Sequence, residues 1–475
     1  MRAAFRITRE EWRLLWRDRV AVMGLGLLML LTAMSGFTAW EQQRGAEAER
    51  TRYQQQVNRE FEAQPDRHPH RMVHYGQFAF RPVSALATFD AGIDPYTGHT
   101  LYLEGHRQNS ANFGDVRQSS LMLRFGQLTP AFVLQVLAPL LLIFLGHASL
   151  ARERETGTLR LLITHGLQPG QLVAGKLLAL VGVGGLALAL VVLTLVWIIM
   201  ASSAPVGLAL LLMSVYGIWL LVWAITVVGV STLAARGRDA LIVLLALWAV
   251  TVVLVPRLGA DLVAWSQPLP TRFETDIAVS RDLAAMGDSH NPNDPYFNEF
   301  RKQVLAQYGV IRVEDLPLNY KGLLAMEGER LTSALFERYA RASFTEQAQQ
   351  LRHVDALSLF SPLLALRRVS MIVAGTDLYA YRRFLEQAER HRYELVQKLN
   401  RLQAEKFTYA TDRSSRESRI GREHWQGIAD FRYEAETPAE TLRRALPMAG
   451  VLLAWLAALA GLLALACRRL ERAVR

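Results

Sequence analysis

From Leu177 to Ala235 the chain runs for 59 residues without an Asp, Glu, Lys or Arg. A soluble domain presents charge to water far more often than this, whereas a bilayer core demands such a run. The turn-forming cluster Ser202-Ser203-Ala204-Pro205 divides it into two segments, 178–201 and 207–233. Each meets the roughly 20 apolar residues that a helix needs to cross the hydrocarbon. Four further charge-free stretches follow the same logic: 21 residues between Arg19 and Glu41, 27 between Arg124 and Arg152, 17 between Asp239 and Arg257, and 23 between Arg444 and Arg468. The expected fold is an α-helical polytopic membrane protein with six transmembrane helices at 20–40, 128–149, 178–201, 207–233, 240–256 and 446–467. The fifth sits at the short limit of about 17 residues. The first exceeds the apolar core of a signal peptide and lacks a good cleavage site, so it reads as a retained anchor.

Orientation follows from the basic residues. Arg2, Arg6, Arg9, Arg13, Arg17 and Arg19 precede the first span; Arg152, Arg154, Arg160 and Lys176 follow the second; Arg236 and Arg238 follow the fourth; Arg468, Arg469, Arg472 and Arg475 follow the sixth. Six spans put all of these on one side, which the positive-inside rule makes cytosolic. The cytosolic parts are then 1–19, 150–177 and 468–475, with both termini inside a bacterial inner membrane. Together with the 234–239 loop these segments hold 16 Lys and Arg against 7 Asp and Glu, nearly the whole formal charge of +10. The basic balance is thus a topology signal and gives no support to a nucleic-acid partner. Two polar segments, 41–127 and 257–445, fall outside and are expected to form one mostly helical external domain. Tyr53, Val57 and Phe61 make a stripe on a helix continuing the first span, and a long amphipathic helix is expected over Asp377–Phe407. These two helices could pair, or each could pack within its own segment. The interval His74–His106 reads as irregular or β structure.

Few residues suggest chemistry. Apart from His147 the spans contain no ionisable residue, which argues against an ion-coupled transporter. Gly170–Leu177 has the spacing of a phosphate-binding loop, but Leu177 stands where a Mg²⁺-ligating Ser or Thr is required, and the segment leads into a span. Its glycines are expected to form the turn into the third span, with Lys176 among lipid headgroups. His68, His70 and His74 are candidate copper or zinc ligands in a histidine-rich outer segment, although Arg67 and Arg71 oppose a cation there. Hydrogen-bonded surface histidines are the plainer alternative. Tyr216, Trp219 and Trp223 share one helix face and could line a substrate path, or simply pack between helices. Ile7–Arg19, with Trp12 and Trp16 among arginines, suits a helix lying at headgroup level.

The most specific feature is the loop after the second span. Glu153–Gly166 reads ERETGTLRLLITHG, and Gln168–Lys176 reads QPGQLVAGK. This resembles the signature of type 2 ABC export permeases, and Ile7–Arg19 resembles their elbow helix. HYGQFAFRPVSALATFDAGIDPYTG at His74–Gly98, LEGHRQN at Leu103–Asn109 and SPLLALRRVSMIVAGTDL at Ser361–Leu378 resemble a subgroup with enlarged external loops, catalogued as a domain of unknown function. The resemblance implies that Glu153, Arg154, Glu155, Gly157, Thr158, Leu159 and Arg160 form a coupling helix docking on a separate cytosolic ATPase. It also implies ATP and Mg on that partner with no cofactor in this chain, and assembly with a second permease copy or paralogue. Export across the membrane is the expected function; ATP-driven motion of the external domain, without translocation, is the alternative.

Overall fold

The computed structural model describes residues 2–109, 128–201, 204–412 and 418–474. Ser202 and Ser203 of the expected turn, and 110–127 of the first polar segment, lie outside the described residues. Helix α1 (Arg2–Arg17) is strongly amphipathic and ends before Asp18, whose carboxylate accepts a 2.9 Å hydrogen bond from the Val20 N–H and caps α2 (Arg19–Glu62). Helix α3 (Pro69–Tyr75) and a two-stranded antiparallel hairpin follow, β1 (Gln77–Phe80) on β2 (Thr100–Leu103), with Gln77 opposite Leu103. Next come α4 (130–146), the short helices α5 (Ala151–Glu155) and α6 (Thr158–Thr164), then α7 (Pro169–Ala201), α8 (Val206–Leu233) and α9 (Gly237–Ser266). The polar C-terminal half contains α10 (Arg272–Met286), α11 (Pro295–Tyr308), α12 (Tyr320–Ala356), α13 (Pro362–Ala374) and α14 (Leu378–Lys406). Helix α15 (Pro438–Val474) ends the chain.

Six of these helices are long and apolar enough to cross a membrane, one for each expected span: α2, α4 running on through α5, α7, α8, α9 and α15. The chain is an α-helical polytopic membrane protein. Helix α8 lies at the centre, packed against α4, α7, α13 and α15. Helix α9 continues well past 256, to Ser266.

Three spans carry an internal proline, Pro139 in α4, Pro256 in α9 and Pro447 in α15, and the first two solve the resulting deficit in the same way. The segment Val133–Leu137 of α4 is π-helical, with the Ala138 N–H bonded to the Val133 carbonyl. In that i→i+5 register the Leu134 carbonyl would take its proton from residue 139, which is Pro139 and has none. The Trp219 indole of α8 supplies it instead, at 3.0 Å. In α9 the π segment is Ala249–Leu254, the proline is Pro256, and the orphaned carbonyl is that of Thr251. The hydroxyl of Ser361 donates to it. Neighbouring elements thus re-satisfy backbone groups that water cannot reach.

The two polar insertions pack together as one domain at the end of the bundle opposite α5 and α6. Phe61 of α2, Met72 and Val73 of α3, Leu395 and Leu399 of α14 and Trp425 form one core cluster; Ala79, Leu101, Leu103, Phe384 and Phe431 form another. The stripes on α2 and α14 do not pair along their lengths. Phe61 meets α14 beside α3, whereas Tyr53 is exposed. Helix α13, for which the sequence offered no placement, inserts between α8 and α15 at the domain end of the bundle. Its sequence LLALRRVSMIVA is apolar on most faces and must be covered, yet 13 residues rise only about 20 Å, too short to cross. Thr376, just after it, donates to the Asp90 carbonyl and accepts from the Ile93 N–H, both at 3.0 Å.

Candidate functional site

The loop between α4 and α7 is built as a braced platform. Ser231 of α8 accepts from the Leu150 and Ala151 N–H groups at 3.0 and 3.2 Å, fixing the start of α5. Arg154 turns inward and donates to the Thr232 carbonyl at 2.7 Å and to that of Ala234. Glu155 accepts from the Gly237 N–H at the start of α9, at 3.3 Å. Gly157 adopts φ 78°, the left-handed conformation that reverses the chain between α5 and α6 without Cβ strain. Thr158 donates to the Glu153 carboxylate, and Leu159 is buried against the bundle. Arg152, Thr156, Arg160 and Leu161 face outward, Leu161 being 59 % exposed.

Lys176 does not lie among headgroups. It is 6 % exposed and bridges Glu11 of α1 at 2.9 Å and Glu153 of α5 at 3.2 Å. The glycines around it do not make a turn either, since α7 starts at Pro169. Gly175 lies inside the helix and admits α1: a Cβ there would stand 2.7 Å from the Ile7 Cβ and 2.8 Å from the Ala4 carbonyl. Gly182, two turns on, does the same for Trp12 at 2.5 Å. Thr8 donates to the Gly175 carbonyl at 3.0 Å. Helix α1, α5 and the foot of α7 thus form one ion-paired unit.

Tyr216, Trp219 and Trp223 are all buried. Tyr216 accepts from Gln135 at 2.7 Å and donates to Ser370 of α13 at 3.0 Å, and Ser370 in turn donates to Asp90. Burial pushes the Asp90 carboxyl up, against the Ser370 and Gly92 hydrogen bonds. Trp219 serves the Leu134 carbonyl, and the Trp223 N–H has no partner among the described residues. The three rings fill the bundle interior. Beside them, at the domain end, a cleft of about 590 Å³ opens between the two π segments, lined by Asp90, Gln135, Val252, Pro256, Arg257 and Arg367.

The candidate metal ligands part company. Both ring nitrogens of His68 are engaged: Nδ1 accepts from the His70 N–H at 3.1 Å, capping α3, and Nε2 meets Asp412 at 2.9 Å. His70 and His74, one turn apart on α3, face each other with their Nε2 atoms 3.2 Å apart. Burial, then the neighbouring histidines, pushes His70 down to about 4, and the same causes lower His74. Their i,i+4 spacing is the sequence signal that marks them as a pair.

Two family profiles match the chain. The one described as ABC-2 family transporter protein covers residues 5–296, and a domain of unknown function, DUF3526, covers residues 272–434. No curated protein matches.

Proposed function

The chain belongs to the ABC-2 family of transporter proteins, and on that premise we propose that it is the permease subunit of a type 2 exporter in a bacterial inner membrane. A separate cytosolic ATPase, carrying the ATP and Mg, drives it, and a second permease copy or paralogue completes the transporter. The platform of α5 and α6 is the observation that carries this reading. Its interior residues tie it to three spans and to α1, so a push on its outer face reaches the whole bundle without bending the loop. The outer face combines Arg152 and Arg160 with exposed Leu161, the mixture a docking contact uses. The concentration of arginine at this end supports a cytosolic location for it and an extracytoplasmic one for the polar domain. The cleft between the π segments offers an amphipathic substrate a binding place at the domain end of the bundle.

Co-expression with the cognate ATPase tests the proposal. Arg160→Glu with Leu161→Asp should lower co-purified ATPase at least tenfold while the permease still inserts. Wild-type recovery of the ATPase with unchanged turnover would sink it. The alternative of moving the external domain without translocation is favoured by one feature, the unbroken passage of α2 from bundle into domain. ATP hydrolysis in proteoliposomes with no substrate transfer would select that alternative.

A further inference from the structure

We propose that His70, His74 and His106 form a binding site for a divalent transition-metal ion of the zinc and copper class, on the polar domain and independent of the transport reading. One ring nitrogen from each of the three lies within 4.8 Å of the other two. Ligand nitrogens at about 2.05 Å in tetrahedral geometry stand roughly 3.3 Å from one another, close to the 3.2 Å between the His70 and His74 Nε2 atoms. The third nitrogen, within 4.8 Å of both, has at most about 1.5 Å to close to reach that spacing.

His106 carries most of the argument. It is the non-glycine residue held at positive φ among the described residues, at 61°. That conformation is costly and persists only where surroundings impose it. Here Glu329 imposes it, accepting from the His106 N–H at 3.0 Å and lying 3.3 Å from its Nδ1. Glu329 is fixed in turn by Arg392 at 2.6 Å, and Arg392 spends its remaining donors on Glu389, Ser333 and the Glu104 carbonyl. A proton held on Nδ1 by a carboxylate leaves Nε2 as a lone pair, the arrangement in which a second shell orients a metal-bound imidazole. The His106 Nε2 is buried and has no hydrogen-bond partner among the described residues. Ordinary surface histidines require neither the strain nor the orphaned atom.

A fourth imidazole is near. The ring of His290, on the loop between α10 and α11, lies 6.3 Å from that of His106, with Nδ1 3.3 Å from Asp288. Arg67, which opposed a cation in the sequence, lies over the Tyr75 ring at 5.8 Å. Three or four nitrogen ligands without a thiolate suit Zn²⁺ or Cu²⁺ and disfavour Mg²⁺ and Ca²⁺.

The test uses the full chain in detergent micelles, stripped with chelator and titrated with Zn²⁺ or Cu²⁺ alone, with Co²⁺ as a spectroscopic probe. One equivalent per chain is expected after gel filtration, with a tetrahedral Co²⁺ spectrum. His74→Ala, at an exposed ring, should weaken binding at least 100-fold without touching the core, and Glu329→Gln should weaken it about 10- to 100-fold. His353→Ala, an exposed histidine on α12 away from the cluster, should change nothing. Absence of a stoichiometric ion in the wild type overturns the proposal, as does its retention at full affinity in a chain lacking His74 and His106.

Discussion

Replacing Trp219 by Phe tests whether the indole compensates for Pro139. The substitution removes the donor to a Leu134 carbonyl whose in-helix partner would be the proline nitrogen, and both residues are 0 % exposed. A buried carbonyl left unpaired costs about 1–3 kcal/mol. Hydrogen bonds between membrane helices average near 0.6 and reach about 1.7 kcal/mol, because alternative partners are usually found. Here the π register and the proline leave no backbone donor for Leu134, so about 1.5 kcal/mol is expected, plus a packing loss from the smaller ring. The two contributions separate in a double-mutant cycle. Pro139→Ala restores an N–H that can serve the carbonyl, so Trp219→Phe in that background should lose only packing. Unfolding free energies of the four proteins in mixed micelles with increasing sodium dodecyl sulfate give the coupling directly. A value of about 1–1.5 kcal/mol is expected; one within about 0.5 kcal/mol of zero would refute the compensation.

Two further outcomes follow from the geometry. Gly175→Ala should displace α1 from α7 and cost about 1–3 kcal/mol, seen as faster tryptic cleavage at Arg13 and Arg17, while Gly185→Ala, with open space around its Cβ, should be neutral or better. Acid should loosen the polar domain before the bundle. Burial opposes the charges of Glu329 and Asp412, but His106 and Arg392 for the first, and His68, Gln403 and Asn319 for the second, hold both carboxyls well below their ordinary values of 4.5 and 3.8. A depressed carboxylate contributes stability above its unfolded value and loses it as pH falls toward the folded one. Protection factors in α12 and α14, corrected for the intrinsic pH dependence of exchange, should therefore fall below about pH 4 while α8 stays protected; a uniform fall would contradict this.

The spans were legible because hydrocarbon imposes a one-dimensional rule, and a run without charge records it directly. The glycine-lysine pair at Gly175 and Lys176 was visible as a motif, but its use was not. Its partners, Ile7 and Glu11, lie more than 160 residues away, and nothing local distinguishes a glycine that makes a turn from one that admits a crossing helix. The histidines show the same limit. His70 and His74 share a helix face that spacing predicts, whereas His106 joins them through a backbone conformation set by Glu329, on a helix more than 200 residues later. His68, adjacent in sequence, is used up capping α3. The position of helix α13 was not legible, because a 13-residue apolar helix looks alike whether it covers a soluble core or wedges into a bundle.

Helix α2 has a mechanical consequence. Its 44 residues rise about 66 Å without a break, and its foot meets α1 at Asp18, the residue where the chain changes direction between the two helices. A tilt of about 10° about that hinge would sweep Phe61 through roughly 11 Å, several times any shift at the foot itself. Phe61 sits in the same cluster as Met72 and Leu395, so the lever's tip is already fastened to the part of the domain that carries α3 and α14.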